Sequence, residues 1–433
     1  MDAQPFRGSL VSLQQMKPSH HLLKLAFLLA TALAFQTGRG ADETNLTAET
    51  KPVLSLAEQM KALRQEVDDV ETAYAIASGA EKEKLWKAYS QINDLNLLKI
   101  FNLARQEPTS ETAFKMFEWI VRNPRIGVRT LYYSNGVPVV EFLRDYHTAN
   151  TNIGKICSKF GWGWSRACQP VTDFLRIAAD KNPSRESRGQ ATLALARINK
   201  DYADIQVVLS DNSLTGNKGW SEETKTEFLK GVKNQTAEVL SLESEKLLKA
   251  VLADYADCPT DAPTNSARAK LALGEVAKVE LYDLEHLSVG KVAPEIEGED
   301  IEGNQLKSND YRGKIVMLSF WASWCGPCLQ MVPLEIKLSE RMKGKPFALI
   351  GINGDAVRND AKRAVEREKI TWPFFWNKAG KDGPVPKAWN IQGWPTVYVL
   401  DPNGVIRFKG ENINLINQKV DQLVVEFAEK SHS

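Results

Sequence analysis

Apolar residues along the first two-thirds of the chain recur every three or four positions. Leu56, Met60, Leu63, Val67, Val70 and Tyr74 fall on one face of a helix, and Leu85, Tyr89, Ile92 and Leu95 repeat the spacing. Phe114, Phe117, Ile120 and Val121 do so again. So do stretches around Phe174 and Leu175, from Ala191 to Ile198, from Phe228 to Val232 and from Leu247 to Tyr255. Pro124, Pro138, Pro170 and Pro183 punctuate the series, and Ser184 is placed to cap a helix over 185–200. Only Ile205 to Leu209 hints at strand alternation. The pattern predicts an all-α domain over 41–285, built of stacked helix pairs, with no repeat of fixed period.

From His286 the texture changes. Residues 288–304 read as a short strand and a hairpin turn, and 314–320 (KIVMLSF) is a buried-strand run. Leu334, Leu338 and Met342 keep helical period up to Gly344. A second buried strand covers 347–352 and a second helix 360–369. Residues 396–400, the turn 401–404 and residues 405–408 form a hairpin, and Ile416, Val420, Leu423, Val424 and Phe427 mark a closing amphipathic helix. This order predicts an α/β domain over 286–433 with a central mixed sheet flanked by helices.

The beginning of the chain has a different character. Lys17 and Lys24 precede an apolar stretch from Leu25 to Phe35, no acid lies between Asp2 and Asp42, and small residues follow. A basic start, a short apolar run and small residues describe an export signal over 1–40, with Met16 as an alternative start. The run is short of the roughly 20 apolar residues that span a bilayer. The expected location is therefore extracytoplasmic, periplasmic where the cell has such a compartment, with tethering if the signal stays uncleaved. Fifty-five Lys and Arg balance 54 Asp and Glu, which gives no reason to expect nucleic acid as a partner.

Five cysteines in 433 residues are too few for a disulfide scaffold, so their positions matter more than their number. Cys157 and Cys168 flank a short segment containing Trp162 and Trp164; they read either as a structural disulfide or as two buried thiols. Cys258 is left over as an inert thiol. No second Cys pair matches the spacing of the fourth and fifth cysteines, His147 stands alone, and the glycines at 161 and 163 lack a strand-loop-helix setting. No metal and no cofactor is expected.

Cys325 and Cys328 carry the chemistry. A Cys-x-x-Cys opening a helix sets the first sulfur beside unpaired backbone N–H groups and the positive dipole end, which favours its thiolate. Cys325 is then the nucleophile, and Cys328, one turn on, displaces the substrate from the mixed disulfide. Pro327 suits the first helical turn and Gly326 leaves the approach to Cys325 open.

Residues 324–328 (WCGPC) resemble the signature of thioredoxin-like proteins, and 288–429 is similar to their exported TlpA-type branch. Pro294, the 310–314 entry to the first core strand, residues 351–355 and residues 391–396 share in the resemblance. It implies a cis bond at Pro395, with the backbone of Trp394 meeting an extended client segment; Trp324, Gly326 and Pro327 complete the expected contact surface. It also implies an exported thiol-disulfide oxidoreductase that reduces protein disulfides, takes its electrons from a membrane donor and contributes to redox homeostasis. Two departures stand out. The buried aspartate that thioredoxin carries six positions before the first cysteine is Ser319 here, and the glutamate that some TlpA-type reductases carry three after the second is Met331. Glu335 reads as a solvated helix residue. Deprotonation of Cys328 is then expected to rely on water, with slow resolution near neutral pH. Competing readings are a peroxiredoxin-like thiol peroxidase with antioxidant activity, against which Ala322 stands where that chemistry places a threonine, and a helical binding or scaffold protein with a redox-switch domain.

Overall fold

The computed structural model describes residues 54–122, 139–160, 169–211, 214, 222–233, 235–261, 271–378, 380 and 383–430. The export-signal reading of 1–40, and with it Cys168, Trp162 and Trp164, lies outside the described residues. The chain forms two compact units, 1–137 and 138–433.

In the first unit, α1 (Leu56–Ile76), α2 (Gly79–Ala104) and α3 (Glu111–Arg122) follow the helical spacing of the sequence. Ser55 and Glu58 close a reciprocal capping box at the start of α1. Val67, Val70 and Tyr89 form a small core with Trp119 against it. The buried amide of Asn96 on α2 donates to the carbonyl of Leu63 on α1 at 3.1 Å, which fixes the pair in register.

The second unit opens with α4 (Val139–Tyr146), α5 (Gly154–Phe160), α6 (Gln169–Lys181), α7 (Arg185–Ser210), α8 (Glu222–Gly231), α9 (Ala237–Asp254) and α10 (Leu273–His286). Ser184 caps α7 through the N–H of Ser187, as its position in the sequence suggested. Ile205 to Leu209 is not a strand. It continues α7, because no breaker intervenes after residue 200 and Val208 packs onto the core of the α/β part. Small residues let α7 be crossed closely: a Cβ on Gly154 would collide with the side chain of Gln190.

The α/β part begins with the hairpin β1 (Glu297–Glu299) and β2 (Gln305–Lys307). Then follow β3 (Ile315–Trp321), α11 (Gly326–Arg341), β4 (Phe347–Asn353), α12 (Arg358–Glu368) and β5 (Phe374–Trp376). The chain closes with α13 (Pro384–Ala388), β6 (Thr396–Leu400), β7 (Ile406–Gly410) and α14 (Ile413–Lys430). The sheet order is β5-β4-β3-β6-β7, with β3, β4 and β5 parallel and β6 and β7 antiparallel. Every residue of β3 is buried, as a central strand covered on both faces must be.

Alternation along β3 divides the core. Ile315, Met317 and Trp321 belong to the cluster shared with α11 and α14, and Val316, Leu318 and Phe320 to the cluster on the opposite face with Trp389 and Tyr398. The free edge of β7 meets α7 and α10. Asp283 of α10, buried, pairs with Lys200 of α7 at 2.5 Å and with Lys409 of β7 at 3.0 Å. Burial opposes its charge, but the two lysines outweigh burial and hold the carboxyl below its usual range. Lys419 of α14 pairs in the same way with Asp211, just beyond α7.

Candidate redox site

β3 ends at Trp321 and delivers the chain directly to the start of α11. Cys325 is the N-cap residue, and its sulfur accepts the backbone N–H of Cys328 at 3.2 Å. Pro327 sits in the first turn, where its missing N–H costs no intrahelical bond. Cys325 and Cys328 are joined as a disulfide, with Cα atoms 5.3 Å apart. Both are buried, at 5% and 2% exposure, whereas Trp324 beside them is 62% exposed. A Cβ placed on Gly326 would meet nothing within 4 Å, so the approach past that residue is open.

The register of β3 with β6 pairs Phe320 with Thr396, which sets Trp394 and Pro395 beside the loop that carries the cysteines. The Trp394–Pro395 peptide is cis. The rings of Trp324 and Trp394 meet edge to face with centroids 6.1 Å apart. Trp394 lies tightly on Gly354, where a Cβ would stand 2.5 Å from the indole. All of Trp324, Cys325, Gly326, Pro327, Cys328, Trp394 and Pro395 therefore converge at one end of the sheet.

Two groups in this region have roles that the sequence reading did not assign to them. Asp355, buried, accepts from the Ser323 hydroxyl at 2.7 Å, from the Ser323 backbone N–H at 3.1 Å and from the Asn353 amide at 2.8 Å. It braces the loop between β3 and Cys325. The second is Glu335, and here the sequence reading is corrected. Glu335 is not solvated: it is 3% exposed and accepts the hydroxyl proton of Ser319 at 2.6 Å. Burial pushes its carboxyl up to about 7, against the lowering pull of the Ser319 bond. The signal was present in the spacing. Cys328, Met331, Val332, Glu335 and Leu338 form one buried stripe of α11, and Ser319 alternates with Met317 and Trp321 on the facing side of β3.

The other cysteines stand apart. Cys157 is a fully buried free thiol whose ionisation burial opposes, and Cys168, its partner in the disulfide reading, lies outside the described residues. Cys258 is also a buried free thiol, 3.4 Å from an Arg185 guanidinium N–H. Among the described residues, no cluster of three or more His, Cys, Asp or Glu has the arrangement of a metal site.

The AhpC/TSA family pattern matches residues 289–409. The thiol-disulfide oxidoreductase ResA of Bacillus thuringiensis subsp. konkukian is 30% identical over 129 residues, 29% of this chain and 73% of that protein. The thioredoxin-like protein YneN of Bacillus subtilis is 31% identical over 121 residues, covering 27% and 68% of the two chains. The thioredoxin domain of a Bacteroides vulgatus thiol-disulfide oxidoreductase is 33% identical, covers 32% of this chain and 98% of its own, and gives a TM-score of 0.29. Through its α/β part, the chain belongs to the thioredoxin-like thiol-disulfide oxidoreductases represented by ResA.

Proposed function

We propose that this oxidoreductase works as a reductase of disulfides in exported proteins, through the Cys325–Cys328 dithiol. The observation that supports this reading is the junction of the dithiol with its rim. A cysteine pair at a helix N-terminus lies beside an exposed tryptophan and an open glycine. In the reduced protein, the helix N-terminus favours the Cys325 thiolate. That sulfur attacks a client disulfide; a Cys325–client bond forms, the client S–S bond breaks, and one client sulfur leaves with the electron pair. Cys328, as thiolate, then attacks Cys325 Sγ, forms the intramolecular disulfide and expels the second client sulfur. The client gains two electrons and two protons, and the pair must be reduced again by an external dithiol, for which a membrane donor suits an extracytoplasmic enzyme. Trp324, Gly326, Pro327, Trp394 and Pro395 form the face that a client segment would cover.

A Cys328→Ser variant is expected to hold its client as a mixed disulfide on Cys325, identified by mass spectrometry after capture from the exported fraction. Absence of any adduct, together with no reduction of a model protein disulfide by the wild type, would overturn the proposal. Peroxide consumption in the same preparation, if faster than disulfide reduction, would favour the thiol peroxidase reading instead.

A further inference from the structure

Glu335 is a carboxyl placed where an apolar residue belongs. It occupies the buried stripe of α11 two turns after Cys328, and it faces a strand whose neighbouring inward positions are Met317 and Trp321. Seven residues of helix advance about 10.5 Å and return almost to the same side. Helical side chains lean towards the N-terminus, so the carboxyl is carried back towards Cys328. The Ser319 hydroxyl, buried on β3, fixes it there with a 2.6 Å bond.

Charged groups on the helices packed against α11 are paired elsewhere or exposed. On α12, Arg358 pairs with Glu299, Lys362 with Glu302, Arg363 with Asp360 and Arg367 with Glu368, and Glu366 is exposed. On α14, Lys419 pairs with Asp211, Asp421 with Arg341 and Glu426 with Arg407, and Glu429 is exposed. The titratable groups that share the apolar cluster behind α11 are Cys325 and Cys328 themselves.

Building on the reductase reading, we propose that Glu335, held by the positioning residue Ser319, stores the proton of Cys328. As the mixed disulfide resolves, the Cys328 thiol gives its proton through bridging solvent to the Glu335 carboxylate. The resulting thiolate attacks Cys325 Sγ, the Cys325–client bond breaks, and the client sulfur leaves with the electron pair. The Cys325–Cys328 disulfide then coexists with a protonated Glu335. When an external dithiol reduces the pair, the proton returns to Cys328. Two anions, carboxylate and thiolate, are thereby never required together in one apolar cluster. This arrangement replaces the reliance on water alone that Ser319 and Met331 suggested.

The test uses the reduced full-length protein and the chromogenic disulfide 5,5′-dithiobis(2-nitrobenzoate). Capture by Cys325 releases one coloured thiolate, and resolution by Cys328 releases a second. Glu335→Gln is expected to slow the second release at least about tenfold at pH 7, to make it climb with hydroxide, and to leave the first release within about threefold. Glu335→Asp should recover part of the rate. Ser319→Ala should shift the pH profile of the second release and carries the test if the Gln variant does not fold. The reduction potential of the wild type should also change its slope against pH near neutrality, and that inflection should vanish in the Gln variant. A second release in Glu335→Gln at the wild-type rate and pH profile would overturn this proposal alone. A wild type that captures no reagent would overturn the reductase reading and this proposal with it.

Discussion

A buried carboxyl affects stability as well as chemistry, and at Glu335 the sign is unambiguous. Its ordinary value is near 4.5 and burial raises it to about 7. Below the lower value both folded and unfolded chains carry the proton, and the site has no effect. Between the two values the unfolded chain ionises first, so stability falls as pH rises and stays reduced above about 7. At about 1.4 kcal/mol per pKa unit, the oxidised Glu335→Gln protein is expected to gain about 3 kcal/mol over wild type at alkaline pH and nothing at pH 4. Urea unfolding of both proteins across that range checks it; parallel curves would refute it. The free cysteines give a second residue-scale expectation. Iodoacetamide applied to the folded, reduced protein at neutral pH should label Cys325 and leave Cys157 and Cys258 unmodified until the protein is denatured, as read by peptide mass spectrometry. At this scale the cysteine pair was legible because its spacing is itself the chemistry. Glu335 was misread because a single acid on an apolar stripe is usually solvated, and only the facing strand reveals that Ser319 meets it.

Among the elements, β3, β4, β6 and the helices α11, α12 and α14 announced themselves through long apolar runs or sustained period. β5 did not: three residues, Phe374 to Trp376, are too few to carry a pattern. α13 escaped for the same reason, its five residues beginning at Pro384. The run from Ile205 to Leu209 carries the β-branched Ile205, Val207 and Val208, which so short a pattern cannot distinguish from a strand, and packing of Val208 onto the α/β core decides for helix. The loop between β3 and α11 depends on Asp355, which serves both donors of Ser323 and the Asn353 amide. Asp355→Ala leaves these buried donors without their acceptor and is expected to cost about 2–3 kcal/mol. It should also raise the susceptibility of the Cys325–Cys328 disulfide to a small thiol reductant, because the loop is no longer braced. Denaturant melts and timed thiol quenching measure the two effects separately.

Across the second compact unit, helices and sheet are joined by charge in a buried setting. Asp283 pairs with one lysine from α7 and one from β7, so its removal takes the carboxylate from Lys409 and leaves Lys200 with Asp204 alone. Asp283→Ala is expected to destabilise the unit by about 3–5 kcal/mol, the usual cost of breaking a buried pair from one side. Because the native carboxyl titrates below its usual value near 3.8, this stabilisation is fully present above that value and is lost as pH falls through the lower native one. Acid unfolding midpoints of wild type and variant should converge there; a constant gap down to the lowest pH would contradict the assignment. The sequence could not show this tie, since Lys200, Asp283 and Lys409 are separated by 83 and 126 positions along the chain.

Gly326 lies on the helix that begins beside the reactive sulfur, yet nothing surrounds the place where its side chain would be. Electrochemistry and architecture are therefore separable at that one residue. Charge or bulk introduced there touches the sulfur's surroundings without disturbing any packed neighbour, so the enzyme's affinity for electrons can drift over evolution, or be adjusted by design, while the scaffold that carries it stays the same.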